Sequence, residues 1–90
     1  MARLTEAEID ARLPGVAGWR KEGAAIRKEY RLADFKAAMV FVNRVAELAN
    51  AADHHPDILI NYDRVTLTLS SHDRGGLTER DFRLAASIDA

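Results

Sequence analysis

The chain contains no cysteine. A disulfide framework, a thiolate nucleophile and a cysteine-based zinc site are therefore excluded, and the composition fits a reducing compartment. Charge of one sign is also missing. Thirteen Lys and Arg oppose fourteen Asp and Glu, for a formal net charge of -1. No basic excess and no clustered basic arm point to nucleic acid. Long hydrophobic runs are absent as well. The longest mostly apolar stretch is interrupted by Lys36, Asn43, Arg44 and Glu47, so no membrane span is expected. The segment Met1-Ala2-Arg3-Leu4-Thr5-Glu6 lacks the apolar region of a signal peptide. The expectation is a cytoplasmic protein. Glycine and proline form no low-complexity stretch, and there is no internal repeat.

What remains is enough to fold. Hydrophobic residues make up 48% of 90 residues, which predicts one domain over 1–90 with a real but modest core. Thr5-Glu6-Ala7-Glu8 reads as a capping box opening a short helix that ends at Pro14-Gly15. Val16 and Trp19 are expected to cover one edge of the core. Two strands follow around Gly23, Trp19–Glu22 and Ala24–Tyr30. The second places Ile26, Lys28 and Tyr30 on one side, an alternation that Lys28 interrupts. The main helix is predicted over Leu32–Ala52, with Phe35, Met39, Val42, Ala46 and Ala49 as the apolar stripe and Ala38, Val45 and Ala52 widening it. The stripe is broader than one sheet face needs, which suggests a subunit contact.

Pro56 ends the helix and biases His55 away from helical backbone. A hairpin comes next, from Ile58-Leu59-Ile60 and Val65-Thr66-Leu67-Thr68-Leu69, joined through Asn61–Arg64. Its threonine face is either solvated or belongs to an edge strand that pairs with another chain. Thr78 caps a last helix with Phe82, Ala85 and Ile88 at packing intervals. Helix, two strands, long helix, two strands, helix predicts an α+β two-layer sandwich, with three helices on one face of a four-stranded antiparallel sheet.

Histidine is scarce too, with three in the chain, yet two stand together in Asp53-His54-His55-Pro56-Asp57 and the third is His72. Imidazole exchanges protons near neutral pH with little tuning. Neighbouring residues point different ways, so a metal site using both His54 and His55 is awkward. Zinc with Asp53 or Asp57 is conceivable, but no standard zinc spacing occurs and no metal is expected. Ser70 and Ser71 lie beside His72 without a Gly-x-Ser-x-Gly elbow. Gly75-Gly76 is no phosphate loop. The hairpin brings the start of one strand back to the end of the next, so His72 is expected to hang over the same cleft as His54. Asp81 either orients a histidine or completes a Thr78-x-x-Asp81 capping box. The chemistry left is proton transfer on a small polar substrate.

Asp53-His54-His55-Pro56-Asp57, Asn61-Tyr62-Asp63-Arg64-Val65, Thr68-Leu69-Ser70-Ser71-His72 and Gly76-Leu77-Thr78-Glu79-Arg80-Asp81, with Gly18-Trp19, Asp34-Phe35 and Arg44-Val45-Ala46, resemble the pterin-4a-carbinolamine dehydratases, also called 4a-hydroxytetrahydrobiopterin dehydratases. The resemblance implies removal of water from a 4a-hydroxytetrahydropterin to give the quinonoid dihydropterin. No cofactor is needed, since the reduced pterin is the substrate. It implies His54 and His72 as the acid/base pair, His55 as a binding and orienting group, and Asp81 as the group that positions a ring. Asp53, Ser70 and Ser71 would shape the pocket. It further implies a homodimer or homotetramer and a functional link to an aromatic amino acid hydroxylase. Animal relatives also stabilise dimers of a homeodomain transcription factor, an activity nothing in this sequence marks. One position departs from the family pattern: Asn50 stands where glutamate is common, within i, i+4 reach of His54. That departure supports the competing expectation of a non-catalytic pterin-binding or regulatory dimerisation module. A third possibility is action on a different cyclic hydroxy-amine.

Overall fold

Local signals in the sequence set the element boundaries. A computed structural model describes residues 2–90. Thr5 Oγ1 accepts the Glu8 N–H at 3.2 Å and the Glu8 carboxylate accepts the Thr5 N–H at 2.8 Å, opening helix α1 (Glu6–Arg12). Pro14 tightens its exit into a single 3-10 turn over Leu13–Gly15. Strands β1 (Arg20–Glu22) and β2 (Ala25–Arg31) follow, joined at Gly23 with φ 61°.

Helix α2 covers Phe35–Ala52. It starts later than the sequence suggests because Asp34 is its cap, accepting the Ala37 N–H at 2.8 Å. Leu32 instead donates its N–H to the Asp63 carbonyl at 2.7 Å, on the turn of the next hairpin. That hairpin is β3 (Asp57–Asn61) and β4 (Arg64–Leu69), and α3 (Glu79–Asp89) closes the chain behind a Thr78 capping box. The four strands form one antiparallel sheet in the order β1-β2-β4-β3. This is the expected α+β sandwich of three helices and a four-stranded sheet.

The threonine-faced strand is not an edge. β4 is hydrogen-bonded on both sides, to β2 and to β3, and Thr66 is buried. The free edge on that side is β3. The helix stripe is also rotated from the expected one. Ala38, Val45 and Ala49 are the residues α2 buries, while Phe35 is 49% exposed and stacks on Tyr62 with ring centroids 6.4 Å apart. Small side chains along the contact line let the helix approach the sheet, where Ile26, Val65, Leu67 and Leu69 present fully buried side chains. Val16 and Trp19 are buried at the edge as expected.

Lys28, the residue that breaks the β2 alternation, sits half-buried because a partner awaits it. Asp89 at the end of α3 accepts from Lys28 Nζ at 2.9 Å, Trp19 Nε1 at 2.9 Å and Tyr30 Oη at 2.5 Å. Burial alone would raise the Asp89 carboxyl, but the Tyr30, Lys28 and Trp19 donors outweigh it and hold the group below its ordinary value. A depressed folded-state pKa contributes stability above the unfolded value, about pH 3.9, and that contribution is lost as pH falls through the folded value. Asp89→Asn is therefore expected to cost stability at neutral pH and to flatten the acid limb of the stability curve. Urea unfolding at pH 7 and pH 3 measures this; equal losses at both would remove the carboxylate's charge from the account.

Candidate active site

The α2–β3 junction governs where the histidines go. Helix α2 ends at Ala52, and Asp53 takes a left-handed conformation with φ 50° and ψ 42°. This turn folds the chain back, so that the His54 N–H reaches the Ala49 carbonyl at 3.1 Å. From there the chain extends into β3, and successive side chains point to opposite sides of the sheet. His54 goes to the helix side and is 8% exposed. His55 goes to the other side and is exposed.

The end of β4 repeats this alternation. Ser70 faces the open side, with its Oγ donating to the Ala24 carbonyl at 2.7 Å. Ser71 faces the helix side and is buried. His72 then opens a 3-10 turn over His72–Arg74, and Gly75 closes it with φ 74°. Because Asp57 is opposite Thr68 in the ladder, the start of β3 lies beside the end of β4. The hairpin return foreseen from the sequence is thus present, and it joins a different pair of imidazoles from the one expected.

His55 and His72 line one hollow of about 290 Å³ on the helix-free side of the sheet. Asp57, Thr68 and Ser70 form its floor, and Ala24, Ala25, Gly75 and Gly76 its far wall. The size lies near the lower end of small-molecule sites, ~300–1,000 Å³. His54 does not line it. The His54 ring lies against a separate hollow of about 360 Å³ between α2 and α3, with Leu48, Arg80 and Arg83. Its Nε2 is 2.5 Å from Asp81 Oδ1. The expectation that His54 and His72 share a cleft is therefore corrected: strand alternation turns His54 away and brings His55 in.

Asp81 is fully buried and fills both roles considered for it. Oδ1 meets His54, while Oδ2 accepts from Ser71 Oγ at 2.9 Å and from the Thr78 N–H at 2.9 Å, completing the capping box. Thr78 Oγ1 is in turn 2.9 Å from Ser71 Oγ. One carboxylate thus holds the residue preceding His55 and the residue preceding His72.

Asn50 also departs from expectation. Its Oδ1 is 2.9 Å from His55 Nε2, not beside His54, because the left-handed turn at Asp53 moves the reach from i+4 to i+5. Asp53 is exposed and lines none of these hollows; it shapes the site through its backbone. Asp57, named above only as a conceivable zinc ligand, and the Ala24–Ala25 wall join the lining. Period-two alternation from His55 was the available signal for Asp57. Among the described residues, no group of three or more His, Cys, Asp or Glu is placed to hold a metal ion, and no helix is long and apolar enough to cross a membrane.

The sequence model of the family described as pterin 4 alpha carbinolamine dehydratase matches residues 2–90. The chain belongs to that family. A provisionally named pterin-4-alpha-carbinolamine dehydratase of Acidobacterium capsulatum is 54% identical over 90 residues, covering 100% of this chain and 98% of the relative. A provisionally named counterpart in Chloroflexus aurantiacus is 56% identical over 89 residues, covering 99% and 96%. Among solved structures, a transcriptional coactivator/pterin dehydratase from Brucella melitensis superposes with a TM-score of 0.92 at 36% identity, covering 97% of this chain and 95% of that one. A pterin dehydratase-like protein identified as a RuBisCO assembly factor in the alpha-carboxysome gives a TM-score of 0.69 at 24% identity, covering 80% and 86%, which is a likeness of fold alone. Family and fold are thus those of pterin dehydratases.

Proposed function

We propose that the chain dehydrates a 4a-hydroxytetrahydropterin to the quinonoid dihydropterin, using His55 and His72 as the groups that move protons. One observation carries this reading: two exposed imidazoles, from opposite ends of one hairpin, line a single hollow in a chain of this family. The reaction needs one proton removed and one delivered. The proton on N5 leaves, its electron pair forms the C4a=N5 bond, and the C4a–O bond breaks as the hydroxyl takes up a proton and departs as water.

Hydrogen bonding supports an assignment of roles. With Asn50 Oδ1 as acceptor for His55 Nε2, Nδ1 is the nitrogen left for the substrate, which supports His55 as the base. His72, as imidazolium, delivers the proton to the leaving hydroxyl. His54 and Asp81 act from behind as positioning residues, because Asp81 ties down the segments that carry both reactive rings. Ser70 shapes the floor and Ser71 relays the Asp81 contact. This revises the His54–His72 pairing that the family resemblance implied, and keeps all three histidines and Asp81 in the machinery. The test is the decay of 4a-hydroxytetrahydropterin with the spontaneous rate subtracted. Acceleration supports the proposal; none above background overturns it.

The second reading, a pterin-binding or regulatory module without turnover, draws on Asn50. An amide orients His55 but brings no negative charge. Asn50→Glu is expected to strengthen the base, since a carboxylate beside an imidazole favours its protonated form. The acidic limb of the pH–rate profile should then move to higher pH, by up to about one unit at this exposed position. An unchanged profile would mean that position 50 acts by geometry alone.

A further inference from the structure

The hollow that holds His55 and His72 does not end at its far wall. A second hollow of about 390 Å³ begins on the other side, and the residues common to both are Ala24, Gly75 and Gly76. None of the three carries a side chain beyond Cβ, so the divide between the hollows is low. A Cβ at Gly76 would come within 2.8 Å of Arg3 Cδ, so a larger residue there would push the Arg3 stem aside. The Arg3 stem lies across it, and Arg3 Nη1 reaches the Gly75 carbonyl at 3.5 Å. The Leu4 N–H bonds the Leu77 carbonyl at 2.8 Å, which fixes this strap.

Two cations line the second hollow, Arg3 and Lys21, together with the carboxylate of Glu6. Lys21 Nζ is 3.3 Å from Glu6 Oε1, so those two charges offset each other. Among the described residues Arg3 has no carboxylate within ion-pair distance. The hollow thus has one uncompensated cation, held at the boundary with the histidine site.

Asp57 orients what the first hollow can take. It lies on β3 at one flank of β4, and Ala24 lies by β2 at the other, since Thr68 pairs with Asp57 on one side and Arg27 on the other. A pterin presents two adjacent donors on its pyrimidine ring, N3–H and the 2-amino group, which suit the two acceptors of a carboxylate. Its C6 substituent leaves from the opposite ring. With the pyrimidine toward Asp57, C6 faces the Ala24–Gly75–Gly76 divide. A further neighbouring hollow, sharing Asp57 and Thr68 with the first, is smaller at about 200 Å³ and runs across the open sheet face toward Thr66.

We propose that the second hollow is a subsite for the C6 substituent of the pterin, and that Arg3 makes it prefer substituents ending in an anionic oxygen group. This rests on the dehydratase reading for its substrate, but its test does not need turnover. Binding of stable 7,8-dihydropterins carrying a 6-methyl, a carboxylate-ended or a phosphate-ended chain is to be measured by calorimetry. The charged chains should bind about tenfold tighter than methyl, the worth of one charge-assisted hydrogen bond, and the advantage should shrink with salt. Which anion gains more identifies its source. Arg3→Gln should erase that advantage, whereas Asp57→Asn should weaken all three ligands alike. Equal binding of the three by the wild-type protein, or an advantage that survives in Arg3→Gln, overturns the subsite. Turnover assays with the corresponding 4a-hydroxy adducts separate the two failures: acceleration without anion preference sinks only the subsite, and preference without acceleration sinks only the dehydratase reading.

Discussion

His72→Ala and His55→Ala are each expected to lower the background-subtracted rate of 4a-hydroxytetrahydropterin dehydration by ~10²–10⁴-fold, the usual contribution of a positioned general acid or base. Neither should move the midpoint of urea unfolding. Both rings are exposed on the helix-free side of the sheet, and among the described residues the only side-chain hydrogen bond either makes is His55 with Asn50. In the proposed mechanism one ring removes a proton and the other supplies one, so the double variant should lose little more than the worse single variant, the behaviour of groups that work as a unit. His54→Ala is the control from the other side of the strand. It empties a buried site and strands Asp81 Oδ1, so it should lose stability as well as rate. Full turnover in His72→Ala or His55→Ala, measured on folded protein, would end the two-imidazole mechanism.

Asp81→Ala is expected to destabilise the fold by about 3–5 kcal/mol, the range for removing one partner of a buried hydrogen-bonded charge. The loss leaves His54 Nε2, Ser71 Oγ and the Thr78 N–H without their acceptor, and opens the cap of α3. Against a total of ~5–15 kcal/mol for a domain, this is a large share. Asp81→Asn separates the two jobs. Its remaining oxygen can still accept from Ser71 and Thr78, so most stability should return. The amide nitrogen now faces His54 Nε2 and forces the other ring tautomer. The segments that lead into His55 and His72 lose part of their anchor, and the rate should fall although neither reacting ring has changed. Chemical denaturation and kcat, measured on the same preparations, check this. Unfolding free energies within 1 kcal/mol of the unsubstituted protein for Asp81→Ala would refute this anchoring role of Asp81.

Much of the architecture was legible because its signals are local. The Thr5–Glu8 and Thr78–Asp81 boxes, the Pro14-Gly15 stop and the two hairpins all follow from short-range chemistry. Strand order was not. The threonines of β4 read as an outer face, but only the sheet topology shows that Arg27, Glu29 and Leu59 flank them. The Asp89 hub joins residues far apart in sequence, and its only local trace was a lysine on an apolar strand face. In the site, the residue types and the hairpin return were readable, whereas the side of each ring was not. That depended on one left-handed residue, Asp53, which shifts the phase between helix and strand. A non-glycine residue in that conformation is uncommon enough that sequence reasoning would not choose it.

The alternation at 54–55 and 70–71 places different demands on neighbouring residues. Residues that look inward are bound by the demands of folding. His55, one step along from His54, faces the open side and can be exchanged with little penalty to the core. The reagents facing the hollow can therefore change while the outline of the fold is kept.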